Sequence, residues 1–187
     1  MKKIPTLFQR DETRRYVTDA VTPGCEWVLA GEGVATRKYD GTCVMFDGGR
    51  WWVRREVKPG KAAPEGFDPV STDPVTGKTM GWEPSEASGF SRFLEEAIAD
   101  DEPPEGWRPA TYELCGPKVN RNPEGFPSHV LVRHAAAESV AAPRTFVQLR
   151  DFLTSPQWRH EGIVWHHPDG RMVKLKARDF AGPNTSL

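Results

Sequence analysis

"ATRKYDGTCVMF", Ala35 to Phe46, places Lys38 two residues before Asp40-Gly41, between "EWVLA" (Glu26 to Ala30) and "TCVMF" (Thr42 to Phe46), two runs that read as strands. Asp-Gly is ordinary turn chemistry, because glycine reaches positive φ and aspartate bonds back to its own backbone. A lysine beside such a turn is by itself a solvated charge. The K-x-D-G spacing alone arises by chance in roughly a few per cent of chains of this length, so the meaning of Lys38 depends on its surroundings.

Those surroundings are rich in strand signals. "WWVRR", "ATYEL", "HVLVRH", "GIVWHH" and "RMVKLK" are short and carry β-branched or aromatic residues. "VMFDGGRWWV" reads as a hairpin closed by Asp47-Gly48-Gly49, and "IVWHHPDGRMVKLK" as a second, closed around Pro168-Asp169-Gly170. Two helices interrupt the strands. Phe90, Phe93, Leu94, Ala97 and Ile98 follow helical spacing with Ser88 able to cap the start; Phe146, Leu149, Phe152 and Leu153 do the same behind Thr145. The stretch from Lys58 to Pro84, with its Pro, Gly and Thr, reads as a long loop. The pattern is α+β: antiparallel sheets with flanking helices in a single domain over residues 1–187.

A chain of 187 residues can bury one substantial core. No apolar run approaches a membrane span, and none follows Met1-Lys2-Lys3, so neither insertion nor export is expected. Cys25, Cys43 and Cys115 are odd in number and form no CxxC pair, which points to a reducing, cytoplasmic setting and away from a disulfide framework or a structural zinc site. With a net charge of −1, a nucleic-acid partner would need a local basic surface. "RWWVRREVKPGK" supplies one in Arg50, Arg54, Arg55, Lys58 and Lys61, although lysines also guard sheet edges.

Further segments give Lys38 company. Glu113 lies in the strand of "TYELCGPKVNRNPEGF", ahead of a Gly-, Pro- and Asn-rich loop. Glu161 opens the strand of "EGIVW". Lys174 and Lys176 in "MVKLK" share one face, because side chains alternate along a strand. In this order and on strands, the set resembles the covalent nucleotidyltransferases, the nucleic-acid ligases and capping enzymes. Lys38-Tyr39-Asp40-Gly41 resembles their nucleophile motif, Glu161-Gly162-Ile163-Val164 their fourth motif and Val173-Lys174-Leu175-Lys176 their fifth. "KYDGTC", "GWEP" (Gly81 to Pro84), "YELCG" (Tyr112 to Gly116) and "VNRNPEGF" are most similar to ATP-dependent RNA ligases, the vertebrate 5′-3′ RNA ligase and its bacterial and phage relatives. The likeness runs from about Thr36 to about Phe180.

The resemblance implies the nucleotidyltransferase (ligase adenylation domain) fold. Only 11 residues follow Lys176, so the OB-fold of DNA ligases and capping enzymes is not expected. It implies that Lys38 attacks ATP to give a lysine–AMP intermediate, and that AMP then passes to an RNA 5′-phosphate, which is sealed to a 3′-hydroxyl. Glu161 would hold Mg²⁺ or Mn²⁺. Arg54 and Glu113 would take the ribose hydroxyls, with Thr36, Arg37 and Asp40 completing the nucleotide site beside Lys174 and Lys176. "HVLVRH" offers Leu131 or Val132 to the adenine, and Leu131 is taken; Arg55 and Lys58 are assigned to RNA. The resemblance leaves open whether a protein partner supplies a further domain.

Physical chemistry suits these residue types. A lysine amine is protonated at neutral pH, and nearby cations and burial both disfavour that charged form. The same cations offset charge on the phosphates. If the Pro168-Asp169-Gly170 turn pairs His167 with Gly170, Glu161 falls opposite Lys176; a one-residue change puts them on opposite faces. His166 and His167, adjacent in a strand, cannot easily ligate one ion, and His134 and His160 have no evident partner. Cys43 and Cys115 read as small buried apolars. Two alternatives remain: a DNA ligase-like or capping-type nucleotidyltransferase, and a non-catalytic nucleotide- or RNA-binding module of the same fold.

Overall fold

The computed structural model describes residues 4–101 and 106–180; Met1-Lys2-Lys3, considered above for an apolar leader, lie outside them. The strands are β1 (Phe8–Arg10), β2 (Val17–Val21), β3 (Val34–Lys38), β4 (Thr42–Asp47), β5 (Arg50–Val57), β6 (Asp68–Thr72), β7 (Thr79–Pro84), β8 (Ala110–Cys115), β9 (Val130–Arg133), β10 (Gly162–His166) and β11 (Met172–Lys176). The helices are α1 (Ser91–Asp101) and α2 (Phe146–Leu153). The secondary structure is the expected α+β mixture, with antiparallel strand pairing in every sheet. The chain divides into two compact units, with the boundary between Tyr39 and Asp40 and a return crossing between Ala136 and Ala137.

The unit formed by Asp40–Ala136 is built on a six-stranded sheet in the order β6-β7-β5-β4-β8-β9. Alternation sends Val44, Trp51, Val53, Tyr112 and Leu114 to one face, where they meet Leu94 and Ala97 of α1 in a single core. The α1 stripe of Phe90, Phe93, Leu94, Ala97 and Ile98 supplies the covering face, and the Ser88 hydroxyl accepts the Phe90 N–H at 3.3 Å just ahead of the helix. The opposite face of the sheet therefore carries Cys43, Arg54, Thr111 and Glu113. The β4–β5 hairpin closes as expected: Asp47 faces Arg50, and Gly48 and Gly49 take φ of +59° and +76°, the left-handed pair that a two-residue turn demands.

The other unit, Ile4–Tyr39 with the chain from Ala137 onward, holds the β1–β2 pair and a three-stranded sheet ordered β11-β10-β3. Its core gathers Leu7, Phe8, Trp27, Val28, Ile163, Trp165, Val173 and Leu175, with Leu149 and Leu153 from α2. Thr145 caps α2 by accepting the Gln148 N–H at 3.4 Å. The outer edge of β11 is covered by Pro5 to Leu7: the Leu7 N–H donates to the Lys174 carbonyl at 2.9 Å, and the Lys174 N–H to Pro5 at 3.0 Å.

Several expectations are corrected. "EWVLA" is not a strand but a 3-10 turn over Glu26–Val28; Trp27 and Val28 are adjacent and both buried, which an alternating strand cannot achieve. The Lys58 to Pro84 stretch is not a loop throughout, since β6 and β7 lie in it and β7 is the direct partner of β5. Its Pro and Gly mask the pattern: Pro69 sits at a register shift, and Gly81 packs against Phe67 and the Asp68 carbonyl, where no side chain fits. β1, β2 and β3 gave no recognised signal, so the strand that carries Lys38 was itself unforeseen. Asp40-Gly41 is not a left-handed turn, because Gly41 is absent from the positive-φ residues. A Cβ there would lie 2.2 Å from the Leu114 carbonyl oxygen, so close approach to β8 is what requires glycine.

Candidate active site

The sheet registers place the lysines. Lys38 closes β3, Gly162 opens β10 and Lys176 closes β11; Gly162 pairs with both lysines, so the three form one row. One step along, Thr36, Val164 and Lys174 form the next row of the same parity. Lys38, Thr36, Lys174 and Lys176 thus share the face opposite the core-facing Ile163 and Leu175. At Gly162 a Cβ would stand 2.1 Å from the Leu175 carbonyl oxygen and 2.7 Å from the Lys176 Cα. The bare backbone there leaves Lys38 and Lys176 flanking a position without a side chain.

Glu161 fills the centre of this row, and the structure decides between the two registers left open by the sequence. The β10–β11 turn pairs His167 with Arg171, so Gly162, not Glu161, lies opposite Lys176. Glu161 precedes the strand, sits in a bend and escapes strand alternation, so its carboxylate swings to the lysine face. Oε2 lies 2.5 Å from Lys38 Nζ, Oε1 contacts Lys176 Nζ, and Arg178 approaches Oε1 at 3.8 Å. The carboxylate is only 7% exposed. Burial alone would push its pKa up, but the Lys38 and Lys176 ammonium groups prevail and hold it below the ordinary glutamate value. Lys176 is fixed from behind: Asp179, itself buried, accepts the Lys176 N–H at 2.9 Å and Arg10 Nη2 at 2.6 Å.

Thr36, also on this face, donates its hydroxyl to the Val164 carbonyl at 3.2 Å and lies 3.0 Å from His166 Nε2. Arg37 does not join it. Alternation sends Arg37 to the other face, where its guanidinium stacks over Tyr39 at 4.3 Å and stands 3.7 Å from Glu138.

The remaining expected residues belong to the six-stranded sheet. Glu113 is buried on the face away from the core, directly opposite Cys43. Arg54 is on that face too, being the residue after Val53, which pairs with Val44. Glu113 Oε1 accepts the Gly41 N–H at 3.1 Å, and Oε2 lies 2.9 Å from His134 Nε2. The other ring nitrogen of His134 meets Thr111 Oγ1 at 2.9 Å. Asp40 is clamped by the loop after β8: its N–H donates to Glu124 at 2.8 Å, and Asn120 donates to its carboxylate at 2.9 Å and to the Gly41 carbonyl at 2.8 Å. Asn120, Arg121 and Asn122 all take positive φ, a conformation asparagine tolerates best; Asn122 holds the bend with two hydrogen bonds to Phe126.

Leu131 is displaced from its expected role. It pairs with Leu114 and packs against the core, whereas Val132 pairs with Glu113 and shares its face. Arg55 is half-exposed, 3.7 Å from the buried Glu83, and Lys58 is exposed. Sequence reasoning missed His134, Asn120 and Glu124. The Asn-rich loop was visible, but nothing local in "VRH" marks a histidine that turns back onto Glu113 from beyond the end of β9.

No helix among the described residues is long and apolar enough to cross a membrane. Two comparisons with known proteins bear on the site. Residues 95–184 match the family described as RNA ligase 1, a stretch that contains Glu113, Glu161, Lys174 and Lys176 and begins after Lys38 and Arg54. A zebrafish (Danio rerio) protein named RNA ligase 1 is 40% identical over 72 residues, which is 35% of this chain and 22% of that protein. The match thus spans about a fifth of the relative's length. The chain is similar to RNA ligases, as its motifs led us to expect.

Proposed function

We propose that this chain is an ATP-dependent RNA ligase, carrying the nucleotidyltransferase fold and working through a Lys38–AMP intermediate. The observation that carries the reading is the row Lys38–Gly162–Lys176 with a single buried carboxylate, Glu161, held between the two ammonium groups. When Lys38 gives up its proton to solvent, Lys176 and Arg178 remain to neutralise the carboxylate, and the cations that surround the amine favour its uncharged, nucleophilic form. The free amine forms a P–N bond to the α-phosphorus of ATP, and the bond to the β-phosphate oxygen breaks with release of pyrophosphate. An oxygen of the RNA 5′-phosphate then attacks the AMP phosphorus, the P–N bond breaks and the lysine amine takes up a proton; a 3′-hydroxyl next attacks the RNA 5′-phosphate, loses its proton and forms the phosphodiester as AMP leaves.

Lys174 and Lys176 offset phosphate charge that builds in the transition state. Arg54 and Glu113 are assigned to the ribose hydroxyls. Val132 takes over the adenine-facing role from Leu131, because it shares the Glu113 face. Asp40 acts as a positioning residue through its clamp to Asn120 and Glu124. Thr36 borders the lysine row, and Arg37 supports β3 from behind. Arg55 and Lys58 are retained as contacts for RNA phosphates, which makes binding sensitive to salt.

The Glu161 site fits Mg²⁺ or Mn²⁺. Its carboxylate is buried and paired to Lys38 and Lys176, and a hard cation needs only one or two carboxylates alongside water and phosphate oxygens. Bound there, the ion would neutralise triphosphate charge.

Labelled nucleotides test the reading. ATP should leave one covalent AMP per chain and GTP none. A GTP adduct would point to capping chemistry, and no adduct with either to a binding module. With the adduct in hand, a 5′-phosphorylated RNA strand should be sealed far better than its DNA counterpart, because the 2′-hydroxyl is the group that separates them. Equal sealing of both would remove the RNA assignment.

A further inference from the structure

Among the described residues, one place brings three metal-ligating side chains together: Cys43, Glu113 and His134, each with a ligand atom within 4.8 Å of the others. The fold creates this group. Cys43 on β4 and Glu113 on β8 are direct cross-strand partners, and His134 follows β9 and turns back over the same face. No spacing in the sequence announces it, since the three residues come from three separate segments.

We propose that this trio is a zinc site, distinct in chemistry from the Mg²⁺ position at Glu161. Thiolate, imidazole and carboxylate together suit a borderline-soft ion, while Mg²⁺ prefers oxygen alone. Three protein ligands leave a fourth tetrahedral position for water. Ligand atoms on one zinc lie about 3–4 Å apart; His134 Nε2 and Glu113 Oε2 already stand 2.9 Å apart, and the widest gap in the trio, within 4.8 Å, needs to close by about 1–2 Å at most. The supporting contacts of a metal site are present. Thr111 Oγ1 lies 2.9 Å from His134 Nδ1, and the Gly41 N–H binds the second oxygen of Glu113 at 3.1 Å. Without metal, Nε2–H donates to Glu113. On binding, the proton moves to Nδ1, which donates to Thr111, the Nε2 lone pair turns to zinc, and the Cys43 thiol releases its proton to solvent.

The consequence rests on the ligase reading. Zinc held by Glu113 takes the carboxylate assigned to the ribose, so zinc should inhibit adenylation in competition with ATP. The zinc site itself is tested without any activity. Metal-stripped chain in a non-chelating reductant is dialysed against Zn²⁺ with excess Mg²⁺, and bound metal is counted. One zinc per chain is expected, lost in Cys43→Ala and in His134→Ala, each shown to be folded by circular dichroism. Thr111→Val should bind about 10–100-fold more weakly. Co²⁺ in place of zinc should give a thiolate charge-transfer band that Cys43→Ala abolishes. No bound zinc in the wild type, or equal zinc in both ligand variants, overturns the site. Zinc bound as expected by a chain that never takes AMP upholds the site and removes the ligase reading. Adenylation that proceeds with zinc fully bound removes the competition.

Discussion

The lysine row on the three-stranded sheet and the Glu113 group on the six-stranded sheet solve opposite electrostatic problems. In the first, one buried carboxylate faces Lys38, Lys176 and Arg178, so positive charge is in excess. In the second, a buried carboxylate is held by a backbone N–H and an imidazole, and its geometry is pinned at both oxygens. The first arrangement leaves cations in excess of the carboxylate; the second satisfies its carboxylate with hydrogen-bond donors. The difference teaches a division of labour. Excess cations act on charge that develops in a reaction, whereas pinned hydrogen-bonding groups recognise a shape that does not change.

The largest effect should come from Lys38→Ala, which removes the proposed nucleophile and should abolish covalent AMP altogether. Mass spectrometry of the ATP-treated chain checks this, and an adduct that persists in the variant would sink the assignment. Next, Lys176→Ala should slow adenylation by about 10²–10³-fold at saturating ATP, with little change in the ATP concentration needed. Glu113→Ala should do the reverse, raising KM for ATP more than it lowers kcat. If both variants lose kcat alone, the division between reacting and recognising regions fails.

A smaller effect separates backbone from side chain. Gly162→Ala and Gly41→Ala each set a Cβ within 2.3 Å of a carbonyl oxygen on a neighbouring strand, 2.1 Å from Leu175 and 2.2 Å from Leu114. Neither backbone can yield cheaply, so each should cost about 1–3 kcal/mol of stability by denaturant unfolding. Gly170, in the β10–β11 turn, meets nothing within 4 Å but has φ of +90°; alanine there strains only the turn. A stable Gly162→Ala chain would mean that the lysine row tolerates a wider spacing than the structure shows.

What was legible in the sequence follows from what is local. Alternation revealed β4, β5, β8, β9, β10 and β11, and with them the shared face of Lys174 and Lys176. Helical spacing and caps revealed α1 and α2. Register was not legible, since one residue in the Pro168-Asp169-Gly170 turn decides whether Glu161 or Gly162 faces Lys176, and both choices satisfy the pattern. Leu131 and Val132 could not be separated for the same reason: both are apolar, and only pairing with Leu114 or Glu113 assigns a face. β6 and β7 were hidden by Pro69 and Gly81, residues that fit there because of a register shift and a close ring contact. His134 was invisible because its partners, Glu113 and Thr111, are brought to it by the sheet alone.

The smallest expected effect lies in acid. Glu161 has its pKa held below the ordinary 4.5, because Lys38 and Lys176 outweigh the upward push of burial. A carboxyl whose folded pKa is depressed stabilises the fold above its unfolded pKa and loses that contribution as pH falls through the folded value. The lysine row should therefore add stability undiminished at neutral pH and shed it below about pH 4.5. Glu161→Gln has no proton to take up, so its stability should fall less steeply over that window, even though it starts lower because two ammonium groups lose their partner. The check is unfolding free energy against pH for both chains. The two curves should converge on acidification. Curves that run parallel from pH 7 to pH 3 would mean that Glu161 is not ionised against the lysines in the folded chain, and the contrast between a charged region and a pinned one would lose its basis.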